Sequence, residues 1–285
     1  MSQTFRVAFI GNRTAVWKQC AQFSELQIER VFAVEDSFLA KHLAASGTPF
    51  TPFKVADKKA IFAELHACSF DVLISNGCPL KLPIDQLADQ RRVFLNVHPS
   101  YLPWLKGIHP INGALLFDES FAGATMHFMD QGIDTGPIVY QDRFELTPDV
   151  DLGLLYRLLF DFEGAVFSEG MKLLVDSNFR YRGITQTGAG SYYSRKPGDA
   201  EVNFCKMQAV PILNRIRAFG VRSLGTKATL LDRVIRIFEA QPITNSHVLA
   251  RFSNGLPGQV MMEYENKLLV RCVDGIVKVV LWDHV

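Results

Sequence analysis

The chain has 285 residues, 48% of them hydrophobic, and its formal net charge of +1 leaves no basic excess of the kind that marks a nucleic-acid-binding surface. Five scattered cysteines (Cys20, Cys68, Cys78, Cys205 and Cys272) with no Cys-x-x-Cys argue against a disulfide framework and a zinc site, and favour a reducing cytoplasm. No apolar run approaches the roughly 20 residues that span a bilayer, so a soluble cytoplasmic protein that handles small molecules is expected, with no membrane, nucleic-acid or metal partner.

Phe5 to Ile10 is a short apolar run that stops at Gly11-Asn12, the pattern of a buried first strand closed by a turn. Residues 14–27 read as helix, Ile28 to Val34 as a second strand, and Phe38 to Ser46 as helix again. Phe50 to Val55 carries proline and reads as an edge segment, Asp57 to Ala67 as helix, and Phe70 to Ser75 as a strand. Val93 to Val97 is the next strand, closed by His98-Pro99. This alternation predicts an α/β fold with a Rossmann-like, doubly wound, mostly parallel sheet. A lone Gly11-Asn12 is no dinucleotide fingerprint, so no dinucleotide is expected.

Gly123 to Met129 and Pro137 to Glu145 read as strands flanking the loop Asp130 to Gly136. Residues 151–175 form a long amphipathic helix, Asn178 to Ser194 an irregular connection, and Gln208 to Phe219 a helix burying Val210, Leu213, Ile216 and Phe219. From Gly225 short strands alternate with turns at Asn254-Gly255, Pro257-Gly258 and Asp274-Gly275, the spacing of a small barrel or sandwich. The expected division is an N-terminal domain over 1–180, a connector and helix over 181–224, and a C-terminal β-rich domain over 225–285. The strand edges of that last part offer a route to a homodimer.

Asn96 and His98 stand two apart at the end of a strand, so their side chains share a face where such sheets bind ligands. Taken alone, Asn-x-His is equally the mark of a structural histidine. In Asp130-Gln131-Gly132-Ile133-Asp134-Thr135-Gly136, glycines bracket a loop that displays two carboxylates. Together, Asn96, His98 and Asp134 suit acyl transfer from nitrogen to nitrogen: Asn96 and His98 donate to an oxyanion, while Asp134 favours an imidazolium and helps move protons. No Gly-x-Ser-x-Gly elbow is present, and Ser100 lies in a Pro-flanked turn, so direct attack by an amine fits better than a covalent intermediate.

The stretches Asn96-Val-His-Pro-Ser-Tyr-Leu-Pro-Trp-Leu-Lys-Gly107, His109-Pro-Ile-Asn-Gly113 and Gly123-Ala-Thr-Met-His-Phe-Met-Asp-Gln-Gly-Ile-Asp-Thr-Gly136 resemble the folate-dependent formyltransferase superfamily. The resemblance covers most of residues 1–175. It implies that Asn96, His98 and Asp134 are catalytic and that the formyl donor is 10-formyltetrahydrofolate. That donor is then expected against Gly77, Cys78, Pro79, Leu80, Lys81 and Leu82 and against Asp130, Gln131, Gly132 and Ile133, with Cys78 a lining residue. His109 and His127 are expected to be structural or supporting.

Three groups within the superfamily differ in the amine they formylate. Glycinamide ribonucleotide transformylases lack a C-terminal β-domain. Methionyl-tRNA formyltransferases have one, which the tail resembles (an OB-like fold), but must grip tRNA. Here residues 201–285 hold 11 Lys+Arg against 7 Asp+Glu, and Trp104-Leu105-Lys106-Gly107 stands where the tRNA enzymes resemble a longer basic loop. The third group formylates nucleotide-linked amino sugars for bacterial surface polysaccharides such as the O-antigen of lipopolysaccharide. Met126 to Gly136 and Gly190-Ser191-Tyr192-Tyr193-Ser194-Arg195-Lys196-Pro197 look most like this group. Ser100, Lys106, Gly107, Tyr192, Tyr193, Arg195 and Lys196 are then the acceptor-side residues, an aromatic stacking on a base and Arg195 or Lys196 pairing with a diphosphate. The tRNA enzyme, hydrolysis of the formyl folate, and a non-catalytic folate binder remain alternatives.

Overall fold

The computed structural model describes residues 4–89 and 92–285. The chain forms two compact units, one of residues up to Pro110 with Ala122–Glu145 and Arg157–Tyr193, the other of Ile111–Phe121, Leu146–Tyr156 and Ser194–Val285.

The elements up to the first site-bearing strand are β1 (Phe5–Gly11), α1 (Ala15–Cys20), β2 (Leu26–Val34), α2 (Phe38–Ala45), β3 (Thr51–Phe53), α3 (Lys58–Ala67), β4 (Val72–Asn76), α4 (Ile84–Leu87) and β5 (Val93–His98). There follow α5 (Pro110–Leu116), β6 (Phe121–Phe128), β7 (Ile138–Glu145) and α6 (Leu152–Asp176). A seven-stranded sheet runs β3-β2-β1-β4-β5-β6-β7. Its β1–β2, β2–β3, β1–β4 and β4–β5 pairs are parallel, and β5–β6 is antiparallel. The fold is therefore Rossmann-like, with the turn of direction at β6.

The apolar runs of the parallel strands are continuous because both sheet faces are covered. Val7 and Phe9 point into one core, beside Val166, Phe167 and Met171 of α6. Ala8 and Ile10 point into the other, beside Ile61 and Leu65 of α3. A fully buried side chain such as Phe9 stabilises the unit by about 1.5–3 kcal/mol.

Helix α1 ends at Cys20, well short of the expected residue 27. The chain turns at Phe23, whose carbonyl accepts from the Leu26 amide, and Leu26 enters the sheet opposite Phe5. Strand pairing overrides helix propensity there.

The second unit contains α7 (Ala209–Phe219), β8 (Thr226–Leu230), β9 (Arg233–Pro242), α8 (Ser246–Arg251), β10 (Val260–Tyr264), β11 (Lys267–Arg271) and β12 (Ile276–His284). Its five-stranded antiparallel sheet runs β10-β11-β12-β9-β8. The buried face of α7 is Ile212, Ile216 and Phe219, while Val210 is 57% exposed, contrary to expectation. Spacings of four and three from Ile212 keep one stripe, and Val210 falls on the opposite side. Residues 111–121 and 146–156 cluster with this tail. The Asn112 amide donates to the Ala218 carbonyl at 2.8 Å, Tyr156 donates its hydroxyl to Asn112 at 2.9 Å, and Arg217 donates to the carbonyls of Val150 and Thr147.

Candidate functional site

Strands β4 and β5 end side by side, with Ser75 opposite Asn96 and Asn76 opposite Val97. Past His98 the chain is pinned by Thr125, whose hydroxyl donates to the Ser100 carbonyl at 2.7 Å and accepts the Leu102 amide at 3.1 Å. The antiparallel register of β6 sets His127 opposite Asn96 and Thr125 opposite His98. The loop after β6 then returns Asp134 to the same point, in a left-handed conformation at φ 55°.

Three side chains surround the Asp134 carboxylate. Nδ2 of Asn96 donates to its Oδ1 at 3.4 Å, His127 Nε2 lies 3.5 Å from the same oxygen, and His98 Nδ1 lies 3.5 Å from Oδ2. The Gly107 amide donates to Oδ2 at 2.9 Å. Leu105 O accepts from His98 Nε2 at 3.0 Å, which assigns the imidazole proton to that nitrogen and turns Nδ1 towards Asp134. His127 donates from Nδ1 to the Phe128 carbonyl at 2.8 Å and accepts from Asn96 through Nε2 at 3.2 Å.

Burial works against ionisation of Asp134, but His98, His127 and the Gly107 amide outweigh it and hold the carboxyl well below the usual carboxylate range. For His98 the balance is reversed. Burial pushes the imidazole below its ordinary value by more than Asp134 and the Leu105 carbonyl raise it. The Gly107 and Asn96 donors keep Asp134 ionised, and burial keeps His98 neutral near pH 7. The imidazolium expected from the Asp134 neighbour is thus replaced by a free base.

A cleft of about 350 Å³ opens over this cluster. Of the trio, Asn96, His98 and Asp134 all line it, as do Gly77, Cys78, Pro79, Leu80, Lys81, Leu82, Asp130, Gly132 and Ile133. Gln131 does not line it. The Asp130 carboxylate accepts from Gly132 N and Thr135 Oγ1, which tightens the loop and leaves Gln131 exposed at its tip. Burial pushes the Cys78 thiol up to about 12, so it is protonated and no nucleophile.

Among the acceptor-side residues, Gly107 lines the cleft. Ser100 is buried, donating its hydroxyl to the Trp104 carbonyl at 2.7 Å. Lys106 pairs with Tyr192 through the backbone. Tyr193 is 4% exposed and presents no open ring face, whereas Tyr192 is 53% exposed. A Cβ on Gly107, whose φ is +103°, would meet the Tyr192 ring at 2.8 Å, so only glycine lets that ring lie against the cleft rim. Arg195 and Lys196 are exposed and belong to the second unit. Sequence reasoning missed Asn12, Arg13 and His127 as cleft residues. The signal for His127 was its register opposite Asn96, which needs the pairing to be known.

The profile of the formyl transferase family matches residues 27–171, and that of the formyl transferase C-terminal domain matches 195–282. A methionyl-tRNA formyltransferase of Acidiphilium cryptum is 29% identical over 230 residues, covering 80% of this chain and 70% of its own. The chain spans 61–70% of the length of five such curated relatives. The solved N-formyltransferase of Helicobacter canadensis, in complex with folinic acid and dTDP-3-aminofucose, superposes with a TM-score of 0.71 at 19% identity, covering 96% of this chain and 98% of that one. HypX of Aquifex aeolicus, in complex with tetrahydrofolic acid, gives a TM-score of 0.65 at 15% identity, covering 97% of this chain and 44% of its own.

Proposed function

The chain belongs to the formyl transferase family, and from that premise we propose that it moves a formyl group from 10-formyltetrahydrofolate to the amine of a nucleotide-linked amino sugar. The observation that carries the chemistry is the convergence of the Asn96 amide, the His98 imidazole and the Asp134 carboxylate in one cleft whose cysteine, Cys78, is held protonated. The donor is a substrate, and the cleft suits it: about 350 Å³ lies within the range of small-ligand sites, with apolar Leu80, Leu82, Met129 and Ile133 beside the polar trio.

In this mechanism the acceptor amine attacks the formyl carbon directly. One Nδ2 hydrogen of Asn96 gives up its long 3.4 Å contact with Asp134 Oδ1 and donates to the oxygen as negative charge gathers on it. The new carbon–nitrogen bond leaves the amine with a surplus proton, which passes to the free Nδ1 of His98. Ionised Asp134, 3.5 Å away, stabilises the imidazolium that forms. His98 then returns the proton to the folate nitrogen as its bond to the formyl carbon breaks, and the site is restored.

The amino-sugar acceptor is supported by the near end-to-end match to the Helicobacter canadensis enzyme, by the net charge of +1, and by the exposed Tyr192 ring at the cleft rim. A methionyl-tRNA acceptor is the second reading, favoured by the curated relatives. One experiment separates them: incubate the protein with 10-formyltetrahydrofolate and a panel of UDP-, dTDP- and GDP-linked amino sugars, alongside charged initiator tRNA, and seek a mass gain of one formyl group. A formylated sugar supports the proposal. Formylation of the methionyl-tRNA alone overturns the acceptor, and donor breakdown without any acceptor assigns a hydrolase.

A further inference from the structure

Residues 184–193, expected as an irregular connection, run as an extended strap along the two loops that hold the catalytic pair. Ile184 and Ile138 exchange backbone hydrogen bonds of 2.8 Å in both directions. Two residues later the Gln186 amide donates from Nε2 to the Asp134 carbonyl at 2.9 Å and to the Gly136 carbonyl at 2.8 Å. Further along, Ser191 accepts the Leu105 amide on its hydroxyl at 2.8 Å and the Lys106 amide on its carbonyl at 2.9 Å. The strand-like contact is completed by the Ser191 amide donating to Pro103 O and the Tyr193 amide donating to Lys106 O.

The loop braced by Ser191 is the one that orients both partners. Leu105 supplies the carbonyl that takes the His98 Nε2 proton, and Gly107 supplies the amide that holds Asp134 Oδ2. The loop braced by Gln186 carries Asp134 itself, held at φ 55° in the left-handed region. Gln186 engages two of that loop's carbonyls, those of Asp134 and Gly136.

We propose that residues 184–193 set the proton-transfer geometry of His98 and Asp134, with Gln186 and Ser191 as positioning residues. Neither touches a reacting atom. Gln186 keeps the carboxylate facing Nδ1, and Ser191 keeps the Leu105 carbonyl on Nε2, so that one imidazole tautomer is enforced. The inference rests on the roles of His98 and Asp134 proposed above.

The test uses the full chain with Gln186→Ala, Ser191→Ala and Ser191→Thr, the last of which keeps the accepting oxygen. Each variant is read for acceptor formylation and for the His98 tautomer by ¹⁵N NMR, assigned by loss of the signal in His98→Gln. The expected result is a kcat lowered by about 10- to 100-fold in both alanine variants with KM nearly unchanged, the scale of a misplaced catalytic group. Ser191→Thr restores the rate, and Ser191→Ala shows a mixture of tautomers where the wild type shows one. Unchanged kcat in both alanine variants, or a single wild-type tautomer in Ser191→Ala, overturns the strap. The NMR signature is independent of turnover, so failure of the acceptor assignment is distinguishable from failure of the strap. Gln186 and Ser191 brace different loops, so if one alanine variant does not fold the other decides.

Discussion

Replacing Glu163 with Gln is expected to stabilise the protein at alkaline pH, even though it breaks a buried ion pair. Glu163 lies on α6 with no exposed side-chain surface, and its Oε1 pairs with Nη1 of Arg13, whose guanidinium sits 4.5 Å above the Phe160 ring. Oε2 has no hydrogen-bond partner among the described residues. Burial pushes the carboxyl up to about 7 from 4.5, against the charge and hydrogen bond of Arg13. Burial therefore wins over pairing. A raised folded-state pKa means that the folded protein binds the extra proton between those two values. The associated stability is complete below pH 4.5 and is lost as pH rises through about 7. The shift corresponds to about 3 kcal/mol, or roughly 5–10 °C in Tm. Glu163→Gln keeps the shape of the protonated acid and loses that pH dependence. Melting both proteins from about pH 4.5 to 8.5 should show matching stability at the acid end and a more stable variant at the alkaline end. A variant that is less stable than wild type by the same margin at every pH would mean that the Coulomb attraction to Arg13 exceeds the cost of burial, and would refute the reasoning.

Asn96→Ala and Asp134→Asn should each lower kcat by about 10²- to 10⁴-fold with the circular dichroism unchanged, the range for removing an oxyanion donor or a proton-transfer partner; an undiminished rate in either removes that residue from the mechanism. Because His98 acts as a free base and its pKa lies below the ordinary 6.5, kcat/KM should hold through neutral pH and fall only on the acid side of that value. An acid limb centred above 6.5 contradicts the neutral assignment. Tyr192→Ala should raise the KM for a nucleotide-linked acceptor by about 5- to 100-fold, the value of one base–aromatic stack, with kcat little changed. Steady-state kinetics with the acceptor identified by the panel checks it, and an unchanged KM removes Tyr192 from the acceptor side.

Much of the first unit could be read from residue order because its parallel strands are covered on both faces. Val7 to Ile10 and Val72 to Ile74 are continuous apolar runs for that reason. The trio was legible through spacing and resemblance, since Asn96 and His98 alternate on one strand and Asp134 sits in a glycine-bracketed loop. His127 was not, because its place beside Asn96 depends on which strand pairs with β5 and in which register. Tyr192 and Tyr193 were indistinguishable in sequence: adjacent residues on an extended segment face opposite ways, and only the partner loop decides which is buried. The short helices α4, α5 and α8 went unread, being too brief for a helical period to emerge.

The side-chain amide of Asn112 waits for a carbonyl 106 residues further along the chain. At roughly 5–20 residues per second of synthesis, that partner leaves the ribosome on the order of 5–20 seconds after Asn112 does. Thr147 and Val150 wait in the same way for Arg217. For that interval α5 and the turn ahead of α6 lack the contacts that complete them, while β5, which carries Asn96 and His98, gains β4 before it and β6 soon after. The nascent chain therefore passes through a stage in which the sheet that carries the catalytic pair has all its strands while the second unit is still incomplete.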